Sequence, residues 1–250
     1  MKLLKRAIWL CCIFSTSVSA TNIYLKQFNE IDISLNNLVL DINCGKLPSI
    51  SFNGDELEKV KLQVNDATLK LYSTDKDNPK VNVTARVIVS KPLNKIDIAN
   101  HAKVNIDGCA LDETKFTANV SNKSYAELHG STTNLDITAT NNAHAKVSII
   151  AEKVIVNAFQ SSSIDINKPV GVLNLALATD SLFSLTSGVN HVEVNMKEQS
   201  IATMCNTANS TIDGLMEDDS SIAINKAAES TIVANDNSKI TYCYQTDVLY

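Results

Sequence analysis

From residue 96 onward the chain lays down one short motif repeatedly: an apolar residue, a middle residue, an apolar residue. One series of these triplets runs Ile96-Asp97-Ile98, Leu135-Asp136-Ile137, Val154-Ile155-Val156, Leu173-Asn174-Leu175 and Val192-Glu193-Val194. From Leu135 the steps are 19, 19 and 19 residues, and the 39-residue gap before it holds one weaker member near Phe116. The series continues at Ile212 and Ile232 with steps of 20. A second series lies between: Val104-Asn105-Ile106, Val147-Ser148-Ile149, Ile164-Asp165-Ile166, Phe183-Ser184-Leu185, Ile222-Ala223-Ile224 and Ile240-Thr241-Tyr242. Apolar first and third residues around a small or polar middle one are the alternation of a half-buried β-strand. A fixed period held over about 150 residues excludes a simple meander and marks a solenoid, with equivalent strands stacked turn upon turn.

Alternation also fixes the faces. Ile164, Ile166, Leu173, Leu175 and Val192 should point inward, and Asp165, Asn174 and Glu193 should face solvent. Apolar residues make up 44% of the chain but aromatic residues only 5%, so the core is built from aliphatic ladders. Solenoid corners call for positive backbone dihedrals, which normally select glycine. Here there are 7 glycines and 27 asparagines. Asparagine tolerates the left-handed region better than other residues with a side chain. Asn141-Asn142, Asp218-Asp219-Ser220 and Asp236-Asn237-Ser238 precede second-series strands, where corners are due. Asparagine and serine take the place of glycine, and stacked asparagines can hydrogen-bond between turns.

Residues 1–20 stand apart. A basic start (Lys2, Lys5, Arg6), an apolar stretch from Ala7 to Phe14 and a small-residue end with Val18 and Ala20 make a signal peptide, cleaved between Ala20 and Thr21. The apolar stretch is too short to span a bilayer, and no small residue precedes Cys11 and Cys12 as lipidation requires. Cleavage leaves 19 Lys plus Arg against 27 Asp plus Glu, a net charge of −8, with Arg86 the remaining arginine. Such a surface excludes nucleic acid, whose phosphates need clustered cations, and adsorption to anionic lipid. No membrane span is expected in the mature chain. Residues 21–92 are expected to form a strand-rich capping portion with one short helical piece, and residues 93–250 the solenoid. About eight turns between 93 and 244, at ~4.8 Å each, give a rod of ~38 Å.

Nothing in the pattern points to catalysis or a cofactor. His101, His129, His144 and His191 fall at different phases of the repeat and form no metal-ligand set. Asp97, Asp136 and Glu193 take the middle position of first-series strands. Asp136 and Glu193 then lie three turns apart, about 14 Å, beyond the carboxyl separation of either glycosidase mechanism. The Gly-Cys, Gly-Ser and Gly-Val pairs after strands match no phosphate loop or nucleophile elbow. Cys44, Cys109, Cys205 and Cys243 allow three complete pairings. With Ile201 and Ile240 as equivalent positions two turns apart, Cys205 and Cys243 are separated by about 9.6 Å along the axis. That exceeds the ~7 Å reach of a disulfide, so no Cys205–Cys243 bridge is expected, and Cys44–Cys109 stays open.

In order and spacing, several stretches resemble the putative auto-transporter adhesin, head GIN domain family of bacterial exported proteins. "FNEIDISLNNLVLDINCG" (28–45) is similar to its opening strand pair, and "FNGDELEKVKLQVNDATLKLY" (52–72) to its Gly-Asp turn, short helical piece and following strand. "VNVTARVIVSKPLNKIDIANHAKVNIDG" (81–108) is similar to its proline-marked entry into the stack, and "AELHGSTTNLDIT" and "SKITYCY" to later turns. The resemblance implies an all-β, right-handed parallel β-helix, and an exported cell-envelope or secreted protein with an adhesin-like or structural surface role. A surface glycan or an envelope protein would then be its partner. The competing expectation is a polysaccharide-active β-helix enzyme, which would show a lateral groove with two carboxylates at catalytic separation.

Overall fold

The computed structural model describes residues 22–75 and 80–243; the expected leader and its cleavage point at Ala20 and Thr21 lie outside them. Two columns of parallel strands run the length of the molecule. The first stacks Glu30–Ile33, Lys95–Ile98, Lys115–Ser121, the later halves of Tyr125–Thr140 and His144–Ala158, then Val170–Leu177, Val189–Met196, Thr211–Met216 and Glu229–Ala234. The second stacks Val39–Cys44, Lys103–Ile106, the opening halves of the same two long strands, then Ser163–Ile166, Leu182–Leu185, Ile201–Met204, Ser221–Asn225 and Lys239–Cys243. The chain is a parallel β-helix, as its period requires.

The five residues expected inside are buried, with at most 2% of Leu175 exposed, while Asp165, Asn174 and Glu193 reach solvent. One ladder reads Phe116, Leu135, Val154, Leu173, Val192, Ile212, and another Ile106, Leu128, Val147, Ile166, Leu185, Met204, Ile224. The last inward step from Leu185 to Met204 continues the aligned run Leu182–Ile201 to Ser184–Thr203. Volume is exchanged between neighbours: Phe183 stacks on Ala202, as close packing demands.

Three alignments differ from those read from the triplets. Ile96 lies on Ala118 and not in line with Leu135; Ile232 lies on Gly214; and Val147 lies on Ile166, not Ile164. Each is a slip of two residues. A two-residue slip keeps every side chain on its own face, so alternation cannot detect it. Small inward residues (Ala118, Ala126, Ala145, Ala202) also hid turns that contain no strong triplet.

The corners are more regular than the strands. Besides Asp66-Ala67 in a hairpin turn, eight pairs at the corners of the stack have both residues at positive φ: Asn100-His101, Asn122-Lys123, Asn141-Asn142, Gln160-Ser161, Thr179-Asp180, Glu198-Gln199, Asp218-Asp219 and Asp236-Asn237. Asparagine is joined there by aspartate and, less expectedly, by Gln, Glu, Lys and even β-branched Thr179. Left-handed backbone costs such residues about 1 kcal/mol or more each. A hydrogen-bond ladder offsets it: the second residue of each pair donates its N–H to the first residue of the next pair, from His101 to Asn122 (3.0 Å) through Asp219 to Asp236 (2.9 Å). Asn141 Nδ2 donates to Asn122 Oδ1 (3.0 Å), the side-chain ladder expected of stacked asparagines. The residue after each of the first seven pairs tucks inward and is small: Ala102, Ser124, Ala143, Ser162, Ser181, Ser200 and Ser220 are all buried, and Ser238 after the last is partly buried.

The N-terminal end is closed differently. Val83–Val89 pairs in parallel with Val39–Cys44 and antiparallel with Ser49–Gly54, which in turn carries Ile23–Tyr24 antiparallel. On the other column, Lys61–Asn65 and Thr68–Tyr72 form an antiparallel hairpin beneath Glu30–Ile33, after a 3₁₀ turn at Leu57–Lys59. These strands occupy the edge that a parallel stack would otherwise leave open. No described helix is long and apolar enough to cross a membrane.

Candidate functional site

The strand faces carry ladders of polar side chains one turn apart. Asp136 and Glu193 share an outward column with Ile155 and Asn174 between them, three turns apart as expected. Asp97 belongs to the adjacent column, where Asn119 donates to its Oδ1 (2.7 Å). The nearest carboxylate to Glu193 along its column is Asp213, on the next turn. Asp213 is itself held by His191, whose Nε2 lies 3.7 Å from its Oδ2, while Nδ1 meets Thr211 Oγ1 at 2.8 Å.

The same arrangement recurs on the other column. His144 stacks on Tyr125 with ring centroids 5.2 Å apart, meets Ser163 Oγ through Nδ1 at 2.5 Å, and faces Asp165 Oδ2 at 3.6 Å. By residue type this is a nucleophile, a base and an acid. Yet it lies on an open strand face whose backbone N–H groups are spent in the ladder, leaving no donors for an oxyanion. Its recurrence at Thr211, His191 and Asp213 marks it as a fastening between turns. Beside it, Lys146 Nζ donates to Glu127 Oε1 at 2.9 Å. That bond, first among the causes, holds the Glu127 carboxyl below the usual carboxylate range and raises Lys146. Burial, and then the Glu127 charge, push the Tyr125 phenol up. His129 lies 3.6 Å from Glu127, and His101 occupies a corner. Among the described residues, no three His, Cys, Asp or Glu side chains gather as a metal site would require.

Both disulfides form. Cys44 and Cys109 have Cα atoms 6.0 Å apart, and Cys205 and Cys243 5.5 Å apart. The second corrects the expectation from turn counting. Ile201 lies on Ser221 and Lys239, while Ile240 lies on Ile222 and Ala202, so the assumed equivalence was off by one. More decisively, the strand pairing stops at Met204. Cys205 sits in the turn that follows, with its carbonyl accepting from Asn225 Nδ2 (3.0 Å), and Asn225 is paired in register with Cys243. Axial spacing governs residues inside the ladder, and Cys205 has left it. At the other bridge, Gly108 and Gly130 pack backbone to backbone: a Cβ on Gly108 would come within 2.9 Å of Gly130 Cα, and Gly130 has φ +135°.

The side opposite the left-handed corners carries a feature that the triplets did not announce. A groove of about 890 Å³ runs along it, lined by Glu113 and by residues 131–133, 150–152, 169–171, 188–190, 206 and 208–210. Its floor follows the inward ladder Ala151, Val170, Val189. The signal was present in Gly171 and Gly188, which flank the aligned Val170 and Val189 on opposite sides in successive turns. The corner side has only a shallow depression of about 390 Å³, edged by Asp180, Glu198, Asp218, Asp219 and Asp236.

Residues 27–249 match the model of the family described as putative auto-transporter adhesin, head GIN domain. Among solved structures, a putative adhesin from Parabacteroides merdae superposes with TM-score 0.76 at 14% identity, covering 90% of this chain and 96% of that one. A putative lipid binding protein from Parabacteroides distasonis gives 0.71 at 16%, again over 90% and 96%. A putative adhesin from the same species gives 0.70 at 15%, over 90% and 95%. At these identities the likeness is one of fold. A search of curated proteins finds no match to this sequence.

Proposed function

Because this chain belongs to the putative auto-transporter adhesin, head GIN domain family, we propose that it is an exported, adhesin-like binding protein of the cell surface, with a surface glycan or an envelope protein as its partner. The observation that carries the reading is the groove, a binding surface held open on a rigid tube. Two disulfides support export, since such bonds persist in oxidising compartments. Mass spectrometry of the exported protein should find Thr21 at its N-terminus; an intact Met1 in the envelope fraction would refute the leader.

A second reading has one observation in its favour. Glu113 and Glu152 line the same groove on turns two apart, about 9.6 Å along the axis, close to the separation used by inverting glycosidases. Both side chains are exposed, however, and the groove has no wall that would exclude water from a reaction. Glycan-array and cell-binding measurements on the exported chain, run beside polysaccharide-cleavage assays, separate the two. Binding without cleavage is expected. Cleavage lost in Glu113→Gln and Glu152→Gln would establish the enzyme instead, and absence of binding to any surface would end the adhesin reading.

A further inference from the structure

We propose that the groove binds an extended, cationic polypeptide segment. The inference rests on the adhesin-like reading and narrows its partner from glycan or protein to protein.

The groove exists because side chains are missing from it. Residues on either side of the inward ladder Ala151, Val170, Val189 point outward. On the first of these turns they are Ile150 and Glu152, on the next Pro169 and Gly171, and on the third Gly188 and Asn190. A Cβ at Gly188 would meet nothing within 4 Å. The trough is thus open space between the Ile150–Glu152 step and the asparagines beyond. It crosses six turns, a length of ~24 Å at strand spacing. About eight residues of a polyproline-type chain fit that length.

Charge selects the occupant. The lining contains two carboxylates, Glu113 and Glu152, and no Lys, Arg or His. Several strand-face carboxylates are matched by lysines: Glu127 by Lys146, Asp136 by Lys115, Asp97 by Lys95. Neither groove carboxylate has a hydrogen-bonding or ionic partner among the described residues. Opposite charge on a partner is the complement. Their two-turn spacing of about 9.6 Å matches lysines three residues apart on a polyproline-type helix, about 9.3 Å.

The remaining chemistry favours a peptide over a sugar chain. No aromatic ring lines the groove, so the flat face of a pyranose would meet branched aliphatic side chains and no platform. Ile150, 56% exposed, and Pro169 instead suit the methylene stems of lysines. The side-chain amides of Asn190 and Asn209 have no partner among the described residues and can pair with peptide N–H and C=O groups.

The test is fluorescence anisotropy with a labelled peptide, Lys-Pro-Pro-Lys-Pro-Pro-Lys, at low salt. Its glutamate counterpart and a chitosan hexamer serve as comparators. Saturable binding of the lysine peptide alone is expected. Glu113→Gln with Glu152→Gln should weaken it at least tenfold. Gly188→Tyr, whose Cβ would meet nothing within 4 Å, should abolish it while the circular dichroism spectrum and melting curve stay unchanged. Equal binding by the double variant would reduce the effect to diffuse attraction and overturn the proposal. Chitosan binding without peptide binding would overturn it in favour of an amino-sugar chain. In a parallel cell-binding assay, equal attachment by wild type and Gly188→Tyr refutes the groove but leaves the adhesin reading intact. Attachment by neither refutes the adhesin reading itself.

Discussion

The two ends of the tube are finished in opposite ways. At the N-terminal end the first turn, Glu30–Ile33 with Val39–Cys44, lies under added strands, and Ile31, Ile33, Leu40 and Ile42 are all at most 1% exposed. At the other end the last described turn, Glu229–Ala234 with Lys239–Cys243, has no described strand beyond it. Ile232 and Ile240 are only partly buried, and Val233 and Tyr242 are 56% and 51% exposed. Each end nevertheless carries a disulfide. In a stack where every turn relies on its neighbours, an end turn lacks half its contacts. The N-terminal turn regains them from Thr68–Tyr72 and Val83–Val89, which pair with it in parallel and are themselves flanked by antiparallel strands, and the C-terminal turn is tied by a covalent bond.

The largest expected effect contrasts the middle with the weaker end. Ile166→Asp buries a charge between two turns with nothing to pair it and should cost about 5 kcal/mol in urea unfolding, enough to prevent folding. The same change at Ile240 should cost about 1 kcal/mol, because the side chain already reaches water. Equal losses at the two sites would mean that the last turn is as well packed as the middle.

Removing the disulfides comes next. Loop-closure entropy gives about 4 kcal/mol for either, with separations of 65 and 38 residues. Their local consequences should part. In Cys205→Ser with Cys243→Ser, amide hydrogen exchange over residues 229–243 should accelerate more than tenfold. In Cys44→Ser with Cys109→Ser, residues 30–44 should stay protected by packing. Similar acceleration at both ends would erase the distinction.

The smallest effect lies on the strand face between the ends. Glu127 has a depressed folded pKa, so its stabilisation is fully present above its ordinary value of 4.5 and is lost as pH falls through the folded value. A slight drop in melting temperature should appear on acidification through that window and be missing in Glu127→Gln. Because the pair is solvent-screened, the change should be well below that of either disulfide.

The sequence revealed the strands well, and their vertical alignment less well. Period and alternation are properties of one turn and its copy, so Ile164, Ile166, Leu173, Leu175 and Val192 could be placed inside from the pattern alone. Alignment between turns depends on which inward residue sits above which. An alanine at an inward position (Ala118, Ala145) leaves no mark by which to count. The same counting misplaced Cys205, where the chain turns out of the strand. The groove was hidden for another reason: it is assembled from six turns, and Gly188 acts by what it leaves empty, while Gly171 allows close approach to the Glu152 carbonyl.

The left-handed corners follow one another at 22, 19, 19, 19, 19, 20 and 18 residues. Measured from the first-column strand into its corner, the count does not vary: Lys115 to Asn122, Lys153 to Gln160, Thr211 to Asp218 and Glu229 to Asp236 each span seven positions. Every gained or lost residue therefore falls between the second-column strand and the next first-column strand, on the groove side. One flank of the tube behaves as a spine of fixed gauge, and the other as a margin where insertions can accumulate without disturbing the stack. A lineage altering what this rod grips has a place to do so, and a loop grafted near 107–112 or 206–210 would extend the groove wall while the corners kept their count.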